Sequence, residues 1–432
     1  MNDVRRIAIV GAGPAGIYAA EALCRTGAEL SIDVLDALPA PFGLVRYGVA
    51  PDQKIKSVAA VLGRTLERPA VRFLGNVTVG VHLTVPELRR HYDAVLVTTG
   101  APASRRLDVP GADLPGSRPA GDFVAWYNGH PDRPPAMDLG GPRVAVIGAG
   151  NVALDVVRML VKSVPELVRT DVPDDVVPVL RARRVTDVHV VVRRGPEAVR
   201  FTPPELRHLG RLADVDLLVD PADVADPAGT GAGAAVRASA VDILREWSGR
   251  APAGAPRRVW FRFHRRPAEI LGRDRVEAVR LASTVRAGDE VTLPVDAVFH
   301  AVGFRGVPVP GLPFDAERAI VPNDEGRVAG EPGFYVAGWI GRGPSGVIGD
   351  TKVDAARIVR TMLADLPALP FAAEPDPGRV PALLGRRGVR FVTYPQWCRL
   401  DALEIARGRA QGRARAKIAD RAEMLRACLA QT

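Results

Sequence analysis

"IVGAGPAGIYAA", from Ile9 to Ala20, decides the fold. An apolar run enters Gly11-x-Gly13-x-x-Gly16, and small and apolar residues follow at helical spacing. The pattern predicts a buried strand, a tight turn and a helix whose N-terminus faces that turn. Gly11 permits the turn, Gly13 lets a pyrophosphate approach the backbone, and Gly16 lets helix and strand pack closely. The helix end offers free N–H groups and a partial positive charge to phosphate. The next strand, "LSIDVLDA", ends in Asp36, whose carboxylate can accept hydrogen bonds from ribose hydroxyls.

A second stretch, "VIGAGNVALDVV" from Val146 to Val157, repeats the design as Gly148-x-Gly150-x-x-Ala153. Its following strand, "DVHVVVRRG", ends in Arg193 and Arg194 instead of an acid. A guanidinium forks onto a 2′-phosphate that a carboxylate would repel. The first turn therefore predicts FAD and the second NADP. Two dinucleotides on one chain imply transfer between them, with the protein aligning nicotinamide C4 against flavin N5.

The 432 residues suit two or three domains, and the 47% hydrophobic share supports large buried cores. No run of about 18 apolar residues is free of charge, so no membrane span is expected. "MNDVRRIAIVGAG" leads straight into a strand, leaving no room for a secretory leader, and a cytoplasmic location is expected. Cys24, Cys398 and Cys428 are too far apart for a redox pair or a metal cluster. Redox chemistry must then come from a bound cofactor, and no metal site is expected. The net charge of +9 is compatible with an acidic protein partner or with an arginine-rich composition of no specific meaning. No aromatic-interleaved basic stripe is present, and nucleic acid is not an expected partner.

The fold class expected is α/β: two Rossmann-like dinucleotide-binding domains, the NADP domain inserted into a discontinuous FAD domain, plus a C-terminal tail. Expected divisions are 1–105 and 325–370 for the FAD domain, 106–324 for the NADP domain, and 371–432 for the tail. "LDVPGADLPGS" reads as the outgoing linker, and the chain returns near "DEGRV". "VEAVRLASTVRAGDEVTLPVDAVFHAVG" predicts a small antiparallel layer. The Ala/Gly-rich stretch Pro221 to Gly254 reads as an exposed helix or loop. A helix is expected from about Thr351, and the tail reads as an appendage with one short helix.

Beyond the glycine turns, "LPAPFGLVRYGVAPD", "FLGNVTVG", "VVRRGPEAVRFTPPELR", "GWIGRGPSGVIGDTK" and "VTYPQWCRLDALEIARG" carry a resemblance over nearly the whole chain. The sequence resembles the adrenodoxin reductase family of ferredoxin–NADP⁺ reductases, in its bacterial branch. The resemblance implies that Ala15, Asp36, Leu44 and Val79 contact FAD, with Trp339, Gly346, Val347 and Ile348 along the isoalloxazine. It places Ala149, Gly150, Asn151 and Val152 on the NADP pyrophosphate, Arg193 and Arg194 on the 2′-phosphate, and Glu205 near the adenosine. Gly346 would also touch the nicotinamide end, and Trp339, Gly346 and Asp155 form the catalytic group it implies.

One departure stands out. The family places a His after "GVAPD", coupled to the acid that matches Asp155, whereas this chain has Gln53. A glutamine cannot shuttle a proton near neutrality, but hydride transfer needs no side-chain acid.

The activity implied is passage of a hydride from NADPH to FAD and of single electrons to an acidic iron–sulfur ferredoxin. Arg181, Arg183, Arg184 and Arg207 are candidate docking charges. The rival readings are an NADPH diaphorase or electron-input flavoprotein with another acceptor, and a flavin-binding interaction module without turnover.

Overall fold

The computed structural model describes residues 4–224, 234–346 and 348–430. Two sheets organise it. The first has seven strands, in the spatial order Asn323–Asp324, Arg327–Val328, Phe334–Val336, Ala94–Val97, Arg5–Val10, Leu30–Asp36 and Val71–Gly75. From Phe334–Val336 to Val71–Gly75 every pairing is parallel, and an antiparallel hairpin closes the other edge. The second sheet is parallel throughout, in the order Ser117–Pro119, Ala297–His300, Arg143–Ile147, Asp187–Val191, Arg257–Arg262 and Val215–Val219.

Both sheets are buried on both faces, which is why their central strands read as unbroken apolar runs. Ile7 and Ile9 enter one core cluster, and Ala8 and Val10 the cluster behind the sheet. Val144 and Val146 face one side of the second sheet, and Ala145 and Ile147 the other. Successive side chains on a strand alternate faces, so each glycine-turn strand feeds two cores.

The helix Pro14–Cys24 buries Ile17, Ala20 and Leu23 against Ala355, Ile358 and Val359 of a long helix, Ile348–Asp365. That helix begins three residues before the expected Thr351. The antiparallel layer is Arg265–Leu271, Ala278–Ser283 and Glu290–Pro294, while Ala297–His300 leaves it to join the parallel sheet. Two short strands, Ala103–Ser104 and Phe304–Arg305, pair antiparallel where the chain passes between the sheets. After this crossing Val309 and Val321 already pack in the core of the first sheet.

Two expectations are corrected. Within Pro221 to Gly254 a helix, Ala234–Ser248, buries Ala240, Val241, Leu244 and Trp247. Its low average hydropathy hid a single apolar stripe, which is all that one-sided packing requires. Residues 225–233 of that stretch lie outside the described residues. The tail holds three helices, Arg379–Arg386, Tyr394–Ala410 and Arg421–Leu429. Trp397, Leu400, Met424 and Cys428 belong to the core of the first sheet. Val392 exchanges backbone bonds with Gly75 at 2.8 and 2.9 Å, which covers the outer strand edge. The tail is a structural part of the molecule.

Candidate active site

Both glycine turns are built as strand–turn–helix. In the first, Gly11 N–H donates to Leu35 O at 2.7 Å, and the Thr98 hydroxyl donates to Gly11 O at 2.9 Å. A side chain at Gly16 would lie 2.0 Å from Gly11 O, so the third glycine is a packing requirement. Asp36 accepts from Ala12 N at 2.7 Å and from Leu38 N at 2.8 Å. Burial pushes its carboxyl up to about 6 against the pull of those two N–H groups. Each oxygen keeps a lone pair for a further donor.

The structure fits dinucleotides at both turns. Gly13 caps the helix Pro14–Cys24 and Gly150 caps Asn151–Val161; neither helix has a side-chain cap or an acid in its first turn. Their first N–H groups therefore lack side-chain acceptors, which suits an anion. A Cβ on Gly13 or on Gly150 would meet no described atom within 4 Å, so both turns have free space in front of them.

The remaining residues expected around the first turn fall as follows. Phe42 N–H donates to Ala12 O at 2.8 Å, and a Cβ on Gly43 would stand 3.0 Å from Gly13 Cα. This loop lays Leu44, first residue of the short helix Leu44–Tyr47, beside the turn. Val79 is buried beyond the strand Val71–Gly75. Ala15 faces Gly338, where a Cβ would come within 2.9 Å of it. Gly338 N–H donates to Asp354 at 2.8 Å, and Trp339 follows directly, half-buried, with its indole N–H on Ser345 O at 3.0 Å. Gly346 is exposed with φ +81°, and Ile348 opens the long helix. Val347 lies outside the described residues.

Around the second turn, a Cβ on Gly148 would stand 2.4 Å from Ala301 O. Three residues later Phe304 stacks on Trp339, ring centroids 6.3 Å apart. The segment from Ala301 to Phe304, at most about 10 Å long, therefore links the second turn to the Trp339 platform. Ala149 O accepts from Arg200 N at 2.7 Å, and Asn151 exchanges bonds with Thr202 at 2.9 and 3.3 Å. Val152 follows in the first helical turn, partly buried. Arg193 and Arg194 are exposed at the end of Asp187–Val191, and neither guanidinium has a partner among the described residues.

The loop after Ala50 reaches from the first sheet to the second turn's helix. Asp155 accepts from Ala50 N at 3.2 Å, from Gln53 Nε2 at 3.0 Å and from Arg158 at 2.7 Å. Gln53 Nε2 also donates to Glu205 at 2.5 Å. Arg158, fully buried, binds Asp52 at 2.8 Å and Glu205 at 3.3 Å. Burial alone would raise Asp52, but Arg158 and Lys162 hold it down at about 2. Burial raises Glu205 above the usual carboxylate range.

Asp155 and Glu205 therefore share one cluster with Gln53. Thr98, Asp354, Asp52 and Arg158 were not legible as site residues. Thr98 and Asp52 find their partners 87 and 106 residues away, at Gly11 and Arg158, and no local pattern marks any of the four. Of the candidate docking arginines, Arg181, Arg184 and Arg207 are exposed, whereas Arg183 is engaged internally with Met159 O, at 3.1 Å, and Lys162 O.

This constellation defines a class: two-dinucleotide oxidoreductases with paired Rossmann-like units. Residues 5–209 match the family model described as "Pyridine nucleotide-disulphide oxidoreductase". The chain is 41% identical to NADPH-ferredoxin reductase FprA of Mycobacterium leprae, covering 98% of both chains. It is 40% identical to the mitochondrial NADPH:adrenodoxin oxidoreductase of Homo sapiens, over 98% of this chain and 91% of that one. Mycobacterium tuberculosis FprA in complex with NADPH superposes with a TM-score of 0.93, at 41% identity, over 99% of this chain and 100% of that one. The chain belongs to the family of the NADPH-ferredoxin reductases and NADPH:adrenodoxin oxidoreductases.

Proposed function

We propose that this chain passes a hydride from NADPH to FAD and then delivers single electrons to an acidic iron–sulfur ferredoxin. The observation that carries this reading is the pair of open, anion-ready turns joined through the Phe304–Trp339 stack. Bound FAD supplies the two-electron acceptance and one-electron release that the reaction needs. Gly11, Gly13, Ala15, Gly16, Asp36, Leu44 and Val79 hold its dinucleotide portion. Trp339, Gly346 and Ile348 would lie along its ring. Gly148, Ala149, Gly150, Asn151 and Val152 take the NADPH pyrophosphate, Arg193 and Arg194 its 2′-phosphate, and Glu205 its adenosine side.

The chain's own contribution would be alignment and exclusion of water, with Trp339 and Gly346 beside the reacting rings and Asp155 held in the cluster with Gln53 and Glu205. The three free cysteines and the absence of a membrane-length apolar helix among the described residues support a cytoplasmic location. We place the division between units at the paired linkers near 105 and 304 instead of the expected 105 and 324, because Val309 and Val321 pack in the core of the first sheet, and count residues 305–370 with the FAD unit.

Anaerobic titration with NADPH and with NADH, following flavin absorbance, tests the reading. NADPH should bleach the flavin at far lower concentration, and equal potency would remove it. Adding a ferredoxin or a flavodoxin to the reduced protein identifies the acceptor class.

A second measurement concerns Gln53. An imidazole introduced by Gln53→His would face Asp155 and Glu205, and the two carboxylates would stabilise its charged form. Its pKa should therefore rise above the ordinary value of about 6.5. We expect turnover to persist in both proteins and a new inflection above that pH in the variant's pH–rate profile. An unchanged profile would exclude a proton-handling role at this position.

A further inference from the structure

The C-terminal tail carries a lysine, Lys417, that is 6% exposed and bound to both dinucleotide units at once. Its amine donates to Arg46 O at 3.0 Å, to Asn128 O at 3.1 Å and to Asp171 at 2.8 Å. Arg46 lies in the short helix Leu44–Tyr47, directly after the loop that covers the first glycine turn. Asn128 ends the helix Ala120–Asn128, and Asp171 follows Val164–Val168; both belong to the second unit. Lys56 binds the same three residues, at 3.2 Å from Arg46 O, 2.9 Å from Asn128 and 3.2 Å from Asp171. Glu404 in the tail pairs with Arg46 at 2.6 Å and fixes Ile418 N at 3.0 Å, so the segment carrying Lys417 is itself anchored.

The position of this cluster matters. The helix Ala120–Asn128 starts beside the paired linkers: a Cβ on Gly121 would stand 2.1 Å from the Ser104 hydroxyl. Its nine residues end at Asn128, about 13 Å further on. Two short linkers alone form a hinge, and a hinge leaves the angle between units free. Attachments away from the linkers fix that angle: the loop carrying Ala50, Asp52 and Gln53 on Asp155, Arg158 and Glu205, and, one helix length from the linkers, the tail through Lys417. Arg413, on Val172 O at 2.7 Å, and Arg421, on Ala37 O at 2.9 Å and Asp132 at 3.0 Å, reinforce it from the same tail. Burial pushes the Lys417 amine well below its usual range, with Asp171 opposing. Its three acceptors use the three N–H donors of a protonated amine.

We propose that Lys417 is a positioning residue: it pins the tail across the two units and so sets the angle at which nicotinamide meets flavin. This inference rests on the NADPH-to-FAD reading above. The FAD-loaded full chain is compared with Lys417→Met and Asp171→Asn. With NADP⁺ bound, backbone hydrogen exchange at 103–106 and 303–306 should quicken in both variants. At saturating NADPH, flavin reduction should slow by on the order of 10- to 100-fold, the size expected for a misplacement of about 1 Å. FAD content and the rate at which dithionite-reduced protein reduces ferredoxin should not change.

A wild-type flavin that NADPH fails to bleach would remove the functional reading itself. Bleaching of the wild type, with variants that match it in both exchange and rate, would remove the pin alone. Loss of FAD from both variants would also overturn the proposal, because Lys417 would then be a folding residue only.

Discussion

Replacing Arg193 and Arg194 together with alanine should abolish the preference for NADPH. Both guanidiniums stand exposed and unpartnered among the described residues, at the strand end beside the second turn. Neither supports the fold, so the double variant should keep its FAD and its melting temperature. A hydrogen bond to a charged group contributes about 1.5–3 kcal/mol. Two exposed ones, partly screened by salt, sum near the lower end, about 3 kcal/mol. The NADPH concentration for half-maximal bleaching should rise by on the order of 100-fold, while that for NADH stays where it was. The NADPH shift should shrink as ionic strength rises. A variant that still prefers NADPH would assign the 2′-phosphate to other residues, and one that loses both nucleotides equally would show a damaged unit.

The second large effect is expected at Gly13. Its φ of −76° is open to any residue, and a Cβ there meets no described atom within 4 Å. Gly13→Val should therefore fold, yet its branched side chain would occupy the space in front of the helix N-terminus where a pyrophosphate must lie. We expect a colourless protein with intact far-ultraviolet dichroism and FAD affinity reduced by at least about 100-fold, since phosphate contacts to several backbone N–H groups are lost together. Gly16→Val is the contrasting case. Its side chain would clash with Gly11 O at 2.0 Å, so the strand–helix contact itself should fail and the protein should become insoluble. A yellow Gly13→Val protein with normal FAD content would show that the pyrophosphate does not approach this turn.

The difference between those glycines marks how much was legible in the sequence. Each turn with its strand and helix follows from residues within a few positions of one another, and Asp36 and the arginine pair from the ends of the strands that come 20 and 40 residues later. Local backbone geometry and helix-end electrostatics set them, and these act over short stretches of chain. The helix Ala234–Ser248 was misjudged because its buried stripe of Ala240, Leu244 and Trp247 sits in a polar average. The tail was misjudged for another reason. Trp397 and Met424 are ordinary apolar residues, and nothing in their spacing says which core they enter.

The acid cluster shows the same boundary. Asp155 and Glu205 were recognisable by resemblance, yet their shared contact with Gln53 and the buried Arg158 needed the fold to assemble it. By itself the sequence determined that this chain builds two phosphate-ready turns, one tagged with an acid and one with arginines. Only the tertiary structure decided how they face each other, through Phe304 on Trp339, Gln53 between two carboxylates and Lys417 across both units. The physical reason is range. A turn is specified by its own few dihedrals, whereas an angle between two units is set by contacts that form once distant segments have packed.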